Sequence, residues 1–346
     1  MVAVCVAVAL AVSLLAPATA NGESGSFSVI GNRIVDPDGL VFTPRGVNKS
    51  GLEYSSYGYD FSFNTFKAIK AWGANFVRVP LSPSFALARM CSYDRNYMKR
   101  VDHVVNWAEQ LHMLVLLDDH MSTGGMTCGV GHWADLRKAP DLHNSDFVKL
   151  LATRYRDHPW VAIDLYNEPH GITNAVWRNG GVVNGYRAVG MQRLLDVVRG
   201  TGNRNLVFAS GNAWANDLGM VVNKPLQNDR NVVYGAHSYP ISCGHAIVRP
   251  DQPYSCDGKQ YPPFLDSKIA PAAARRAVMI TEFGTQRAIP DEMQAPIDWA
   301  EAHHVGWAAW LWSRGTISNF CLLDQTGNPS VSGQPVRDSL ARAFWL

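Results

Sequence analysis

At 346 residues, with 47% hydrophobic and 17% charged side chains and a formal net charge of +2, the chain can bury a large core. It carries no long single-sign run that would hold a nucleic acid or an acidic membrane surface. Such a length exceeds the usual domain, yet α/β barrels run to about 250 residues or more as one unit, so a single domain is allowed.

The first twenty residues, MVAVCVAVALAVSLLAPATA, form an apolar run that closes in Ala18-Thr19-Ala20. That reads as a secretory signal with a small-residue cleavage site, too short for a comfortable membrane span, although no Lys or Arg precedes it. The expectation is an exported protein in which residues 21–346 form one domain and Cys5 leaves with the signal. Five cysteines then remain, Cys91, Cys128, Cys243, Cys256 and Cys321, and an odd count leaves one thiol over. Cys91 with Cys128, in successive strand-to-helix loops, and Cys243 with Cys256, around a Pro-rich loop, are the expected pairs. No C-x2-C or clustered Cys/His spacing occurs, which disfavours zinc, and neither metal nor cofactor is expected.

Phe27–Phe42 holds two short β-like runs around Pro37-Asp38-Gly39, a turn signal that predicts a hairpin. It leads into Thr43–Asn48, the first candidate strand. An alternation then repeats. Phe63–Trp72 has helical spacing and stops at Gly73 before the strand Asn75–Leu81. Lys99–Leu111 places Val101, Val104, Val105, Ala108 and Leu111 on one face before Met113–His120. Asp146–His158 halts at Pro159 ahead of the apolar run Ala162–His170. Further helices are predicted over Tyr186–Gly200, Asn212–Val222, the less regular Asp266–Arg276, Asp291–His304 and Ser330–Leu346. Between them lie strands at Asn205–Gly211, Asn231–Pro240, Ala277–Thr285 and Gly306–Ser313. Eight near-continuously apolar strands separated by helices predict a closed (β/α)8 TIM barrel with a short N-terminal β-hairpin. No linker interrupts the count.

In such barrels the chemistry gathers at strand C-termini. AIDLYNEPH ends in Asn167-Glu168-Pro169, where the proline forbids further pairing. Alone, Asn-Glu-Pro also fits a turn or a helix cap. A second apolar strand, AVMITEFGT, stops at Glu282. Two strand-end carboxylates, with Arg78, His120, His237, Tyr239 and Trp310 at other strand ends, suit cleavage of a glycosidic bond. One acid must arrive protonated and the other ionised, so their surroundings must differ. Glu53, Asp118 and Asp119 compete formally for the second role. His120 and His237 alone do not make a metal set, and a carbohydrate-binding barrel without catalysis is the rival from another class. Eleven Trp and twelve Tyr also suit sugar stacking, although core packing takes a share of them. Trp133, Trp177, Trp214, Tyr54 and Tyr59 are candidates for outer sugar contacts, and Trp312 for packing.

From GNRIVDPDGLVFTPRGVN through the RVP, NEP, HSYP, TEFG and final tryptophan segments, the chain resembles glycoside hydrolase family five, within the retaining barrels that carry acids on strands four and seven. The resemblance implies that Glu168 is the acid/base and Glu282 the nucleophile, with Arg78 beside Glu282. It further implies that Asn167 hydrogen-bonds the sugar 2-hydroxyl, that His120 meets hydroxyls in the cleavage subsite and that Trp310 is a platform. Tyr239 would donate to Glu282, and His237 would tune Glu168. The implied protein is a secreted, monomeric endo-β-1,4-glucanase of cellulase type acting on a β-linked polysaccharide or oligosaccharide. A β-mannanase, another β-glucan hydrolase or a transglycosylase is the runner-up.

Overall fold

The structure is a computed structural model that describes residues 25–120, 137–239, 261–286, 288–315 and 320–343. The predicted signal, Trp133, Cys128, Cys243 and Cys256 lie outside them, and so do both expected disulfide pairings; Cys321 is a buried free thiol. Among the described residues no helix is long and apolar enough to cross a membrane.

Eight strands close into a barrel in chain order: Arg45–Asn48, Phe76–Leu81, Leu114–Asp119, Val161–Asp164, Val207–Ser210, Val232–Ser238, Val278–Phe283 and Gly306–Ala309. Each pairs in parallel with its neighbours, and the eighth closes on the first through Trp307, Ala308 and Ala309. Alternate side chains point to opposite faces of a strand. Phe76, Leu114, Leu116, Ala162, Phe208 and Val233 therefore fill one cluster, while Val77, Val115, Leu117, Ile163 and Tyr234 pack in another with helix residues such as Val101 and Leu151. Continuing the inner frame upward reaches Arg78, Asp118, Asp164 and His237. Polar groups thus cap an apolar column.

The seventh strand departs from even alternation. Ala236 pairs with Ile280 but His237 pairs with Glu282, so Thr281 is an extra residue, a β-bulge. Counting by twos from Met279 in the inner cluster would send Glu282 outward; the extra residue turns it inward and leaves Phe283 with the outer core. Gly235 makes room beside it, since a Cβ there would stand 3.2 Å from the hydroxyl oxygens of both Thr281 and Ser210.

Several predicted elements are corrected. The N-terminal hairpin is a three-stranded antiparallel sheet, Ser28–Ile30, Arg33–Val35 and Val41–Phe42, because Gly31-Asn32 makes a turn inside the first run. The helix expected over Tyr186–Gly200 begins only at Met191; Tyr186–Val189 is a strand paired with Gly180–Val183. Asn212–Val222 is mostly non-helical, with a short helix at Gly219–Asn223. The helix expected over Asp146–His158 runs instead from Leu142 to Arg154, starting earlier because Asp141 and Asn144 form a capping box. The stretch expected at Asp266–Arg276 splits into Tyr261–Lys268 and Ala270–Ala273.

Candidate active site

The fourth strand's ladder ends at Asp164, short of the predicted end at Glu168. The chain beyond stays pinned between neighbours: Leu165 N donates to Phe208 O at 3.0 Å and Asn167 N to Asp119 O at 3.0 Å. Glu168 is thereby carried to the barrel mouth. Across from it, the bulged seventh strand presents Glu282. One carboxylate oxygen of each, with His237 Nδ1, lie within 4.8 Å of one another.

The two acids sit in unlike surroundings. Glu282 Oε1 accepts from Arg78 Nη1 at 2.5 Å and Oε2 accepts from the Tyr239 hydroxyl at 2.7 Å. One of those donors carries a permanent positive charge. Glu168, whose side chain is 18% exposed, meets His237 Nδ1 at 2.7 Å. Burial pushes the Glu168 carboxyl up to about 7, against the pull of the His120 and Arg78 charges. Burial likewise lowers His237 to about 4, despite the opposing charge of Glu282. At neutral pH that imidazole is uncharged.

Arg78, fully buried, is the hub of the site. Its Nη1 also reaches Asn48 Oδ1 at 3.0 Å, and its Nη2 reaches Asn167 Oδ1 at 2.7 Å, Asp118 Oδ2 at 3.0 Å and Asp164 Oδ2 at 3.3 Å. Burial, reinforced by Asp118, raises the Asp164 carboxyl well above the usual range, against the pull of the Arg78 charge. Burial alone would lower His120, but Asp118, at 2.6 Å from its Nδ1, together with Glu282 raises it to about 9. This cationic ring lies flat on Trp310, centroids 5.4 Å apart at 8°.

All eight residues singled out from sequence, Arg78, His120, Asn167, Glu168, His237, Tyr239, Glu282 and Trp310, meet around this one mouth. Trp214 stacks on His170, two residues past Glu168, at 3.4 Å. Tyr54 lies close enough for Glu53, Glu282 and Glu168 to raise its phenol further after burial has done so, and Tyr59 stands exposed. Trp177 is corrected from a sugar-facing candidate to a core residue: it is buried, and its Nε1 donates to Ser210 O at 2.9 Å. Trp312 packs edge-on against Trp72 at 4.6 Å. Glu53 accepts from Gly51 N at 2.6 Å inside its own loop, and Asp119 accepts from Asn144 at 2.9 and 3.1 Å.

Sequence reading assigned no role to Asn48 or Asp164. Each is a polar residue at an inward position of an apolar strand, and that mismatch was the available signal. The Thr281 bulge left none. As for a metal, Glu168, His237 and Glu282 form the group of ligand atoms close enough to share an ion among the described residues. Those atoms already bond to one another, to Arg78 and to Tyr239, and a divalent ion would stand against the fixed guanidinium charge. The donor set suits proton transfer better.

A family model described as cellulase, glycosyl hydrolase family 5, matches residues 36–316. Cellulase CelDZ1 from a Thermoanaerobacterium species is 22% identical over 86% of this chain and 73% of its own length. A mannan endo-1,4-beta-mannosidase from Streptomyces lividans is 26% identical over 85% of this chain and 68% of its own length. The chain spans between 46% and 73% of the length of the first five curated relatives it matches. Among solved structures, β-glucanase SdGluc5_26A from Saccharophagus degradans, solved also with cellotetraose, superposes with TM-score 0.70 at 20% identity, covering 93% of this chain and 95% of that one. At that identity the likeness concerns the fold.

Proposed function

Because the chain belongs to the cellulase family, glycosyl hydrolase family 5, a family of glycoside hydrolases, we propose that it is a retaining endo-β-glycanase cleaving internal β-1,4 bonds of glucan. The proposal includes export after loss of residues 1–20. The observation that carries it is the pair Glu168 and Glu282, with oxygens within 4.8 Å across the mouth and with unlike partners. A direct attack on the anomeric carbon needs carboxyl groups about 5–5.5 Å apart, whereas an interposed water needs roughly 6.5–9.5 Å. The close spacing supports the double displacement.

In the first step Glu168 gives its proton to the glycosidic oxygen while a Glu282 oxygen attacks the anomeric carbon. The carbon–oxygen bond to the leaving sugar breaks, and a glycosyl ester to Glu282 forms. In the second step the Glu168 carboxylate takes a proton from water, whose oxygen displaces Glu282 with a second inversion. Neutral His237 can donate to that carboxylate in one tautomer or accept from the carboxylic acid in the other, so it serves both halves of the cycle. Arg78 and Tyr239 keep Glu282 aimed. Asn167, fixed by Arg78 through its Oδ1, has no partner for its amide nitrogen among the described residues and can offer it to the sugar 2-hydroxyl, and Trp310 over His120 offers the stacking face.

Relatives named as mannan endo-1,4-beta-mannosidases favour mannan as a second reading. Glucan and mannan differ at one hydroxyl, worth at most a few kcal/mol of discrimination. A panel of soluble β-glucans and mannans with reducing-end counting decides between them, and cleavage of neither rejects both. For the roles, a 2-fluoro sugar should label the wild type at Glu282 and leave Glu282→Gln unlabelled. External azide should restore turnover of an activated aryl glycoside to Glu168→Ala with retained configuration; rescue of Glu282→Ala with retained configuration instead would exchange the assignments.

A further inference from the structure

At the opposite end of the barrel, where the strands begin, a cleft of about 570 Å³ opens between the N-terminal sheet and the segments leading into the fifth and sixth strands. Its walls carry Arg199, Arg204 and Arg230 together with Ser26, Ser28 and Asn228. The Arg199 guanidinium donates to the backbone carbonyls of Asn203, Asn205, Arg230 and Asn231 at 3.0–3.3 Å. Carbonyls satisfy its N–H groups and leave its charge uncompensated. Burial, and then the Arg204 charge, lower Arg199 to about 10. Arg204 and Arg230 stand exposed at the rim. Asp229, next to Arg230, is taken by Arg276 at 3.1 Å, Asp196, three residues before Arg199, accepts from Gln192 at 3.0 Å, and none of the three arginines meets a carboxylate among the described residues.

The cleft is also held in shape. Asn231 accepts from Val29 N at 3.0 Å and donates to Arg204 O at 3.0 Å, tying the sheet to both loops. Phe27 is buried against the barrel's inner column and anchors the wall from which Ser26 and Ser28 project. Positive charge gathered around a preformed cleft favours an anion: Arg199, its Nη groups held by carbonyls, adds charge, and the exposed guanidinium forks of Arg204 and Arg230 can match a carboxylate in two parallel bonds. A lone phosphate would leave most of this volume to water. A sugar ring bearing a carboxylate would fill more of it and meet the serine hydroxyls and asparagine amide with its own hydroxyls.

We propose that this cleft binds the uronate units of an acidic polysaccharide, a carbohydrate contact at the end of the barrel remote from Glu168 and Glu282. The test is affinity electrophoresis of the full chain through gels containing polygalacturonate, its methyl ester, or a neutral soluble glucan, with Arg204→Ala/Arg230→Ala as the variant. Both side chains are exposed, and an unchanged thermal midpoint checks the variant's fold. Polygalacturonate should retard the wild type at low salt, salt should weaken the effect, and the methyl ester should not reproduce it. The double variant should bind at least about tenfold more weakly, the loss of a charge-assisted contact or two, while cleaving neutral glucan at the wild-type rate. Equal retardation of wild type and variant overturns the assignment, as does no retardation. Inorganic phosphate, titrated alone by calorimetry, separates the two sources of oxyanion: binding of phosphate without binding of polygalacturonate overturns the sugar assignment. Because the readout is binding, its failure is distinct from failure of the glycanase reading.

Discussion

Glu168 and Glu282 are one side chain in two electrostatic settings, and the proposed division of labour follows from what surrounds each. A carboxyl held at about 7 by burial keeps its proton through the mildly acidic range and loses it above. On the proposed roles, kcat/KM should fall with a one-proton slope as pH rises through about 7, and Glu168→Gln, assayed on an aryl glycoside, should lack that limb. Stability should shift with the same group. The folded value lies above the ordinary 4.5, so the folded state holds the proton more tightly. That contribution is complete below about 4.5 and lost as pH passes about 7. Glu168→Gln should therefore gain urea midpoint over the wild type at pH 8 and not at pH 4. Both acids were legible because an apolar strand that stops at a glutamate is a local pattern. The upward shift of Asp164 was not, because it depends on burial inside the closed barrel and on Asp118 of the neighbouring strand.

At the level of the element, strands were read more truly than the segments between them. A parallel strand buried on both faces announces itself by its apolar run, whereas Tyr186–Gly200 could be taken as one helix because its apolar spacing continues through Tyr186–Val189. The signal that argued otherwise was Asn184-Gly185 after Val182-Val183. Both turn residues have positive φ, 45° and 81°, as a tight hairpin turn requires. The start of the Leu142–Arg154 helix was missed because its capping box closes with asparagine instead of the usual Glu or Gln. Asn144 serves two partners at once, accepting from Asp141 N at 2.8 Å and donating to both oxygens of buried Asp119. Asn144→Ala should cost about 2–3 kcal/mol in chemical denaturation, the loss of the Asn144 half of the capping box plus a buried carboxyl without its donor. A loss below about half a kcal/mol would show that water replaces the amide. The Thr281 bulge is the case no period could show, since an extra residue is visible only once the partners on both sides are known.

For the molecule as a whole, the eightfold repeat made the closed barrel legible, while what seals its base was not. The N-terminal β signal is local, but its docking under strands some fifty to two hundred and fifty residues away is not written in its own pattern. Phe27, 1% exposed, stands edge-on to Phe42 and Trp160 at 4.9 and 5.0 Å and joins the barrel's inner column. Phe27→Ala should cost about 3–5 kcal/mol of folding stability and leave kcat unchanged where the protein remains folded, because the reacting groups lie at the other end. The seal also bears on how the protein can be shortened. The family match begins at residue 36 and stops at 316, inside the span of the N-terminal sheet and ahead of the helix Gly333–Ala343, whose Val336 and Leu340 are buried. A fragment trimmed to those limits would retain every proposed catalytic side chain and lose both the floor beneath the barrel and one of its outer staves. Trimming by homology alone should yield an aggregating polypeptide from a sequence whose chemistry is intact.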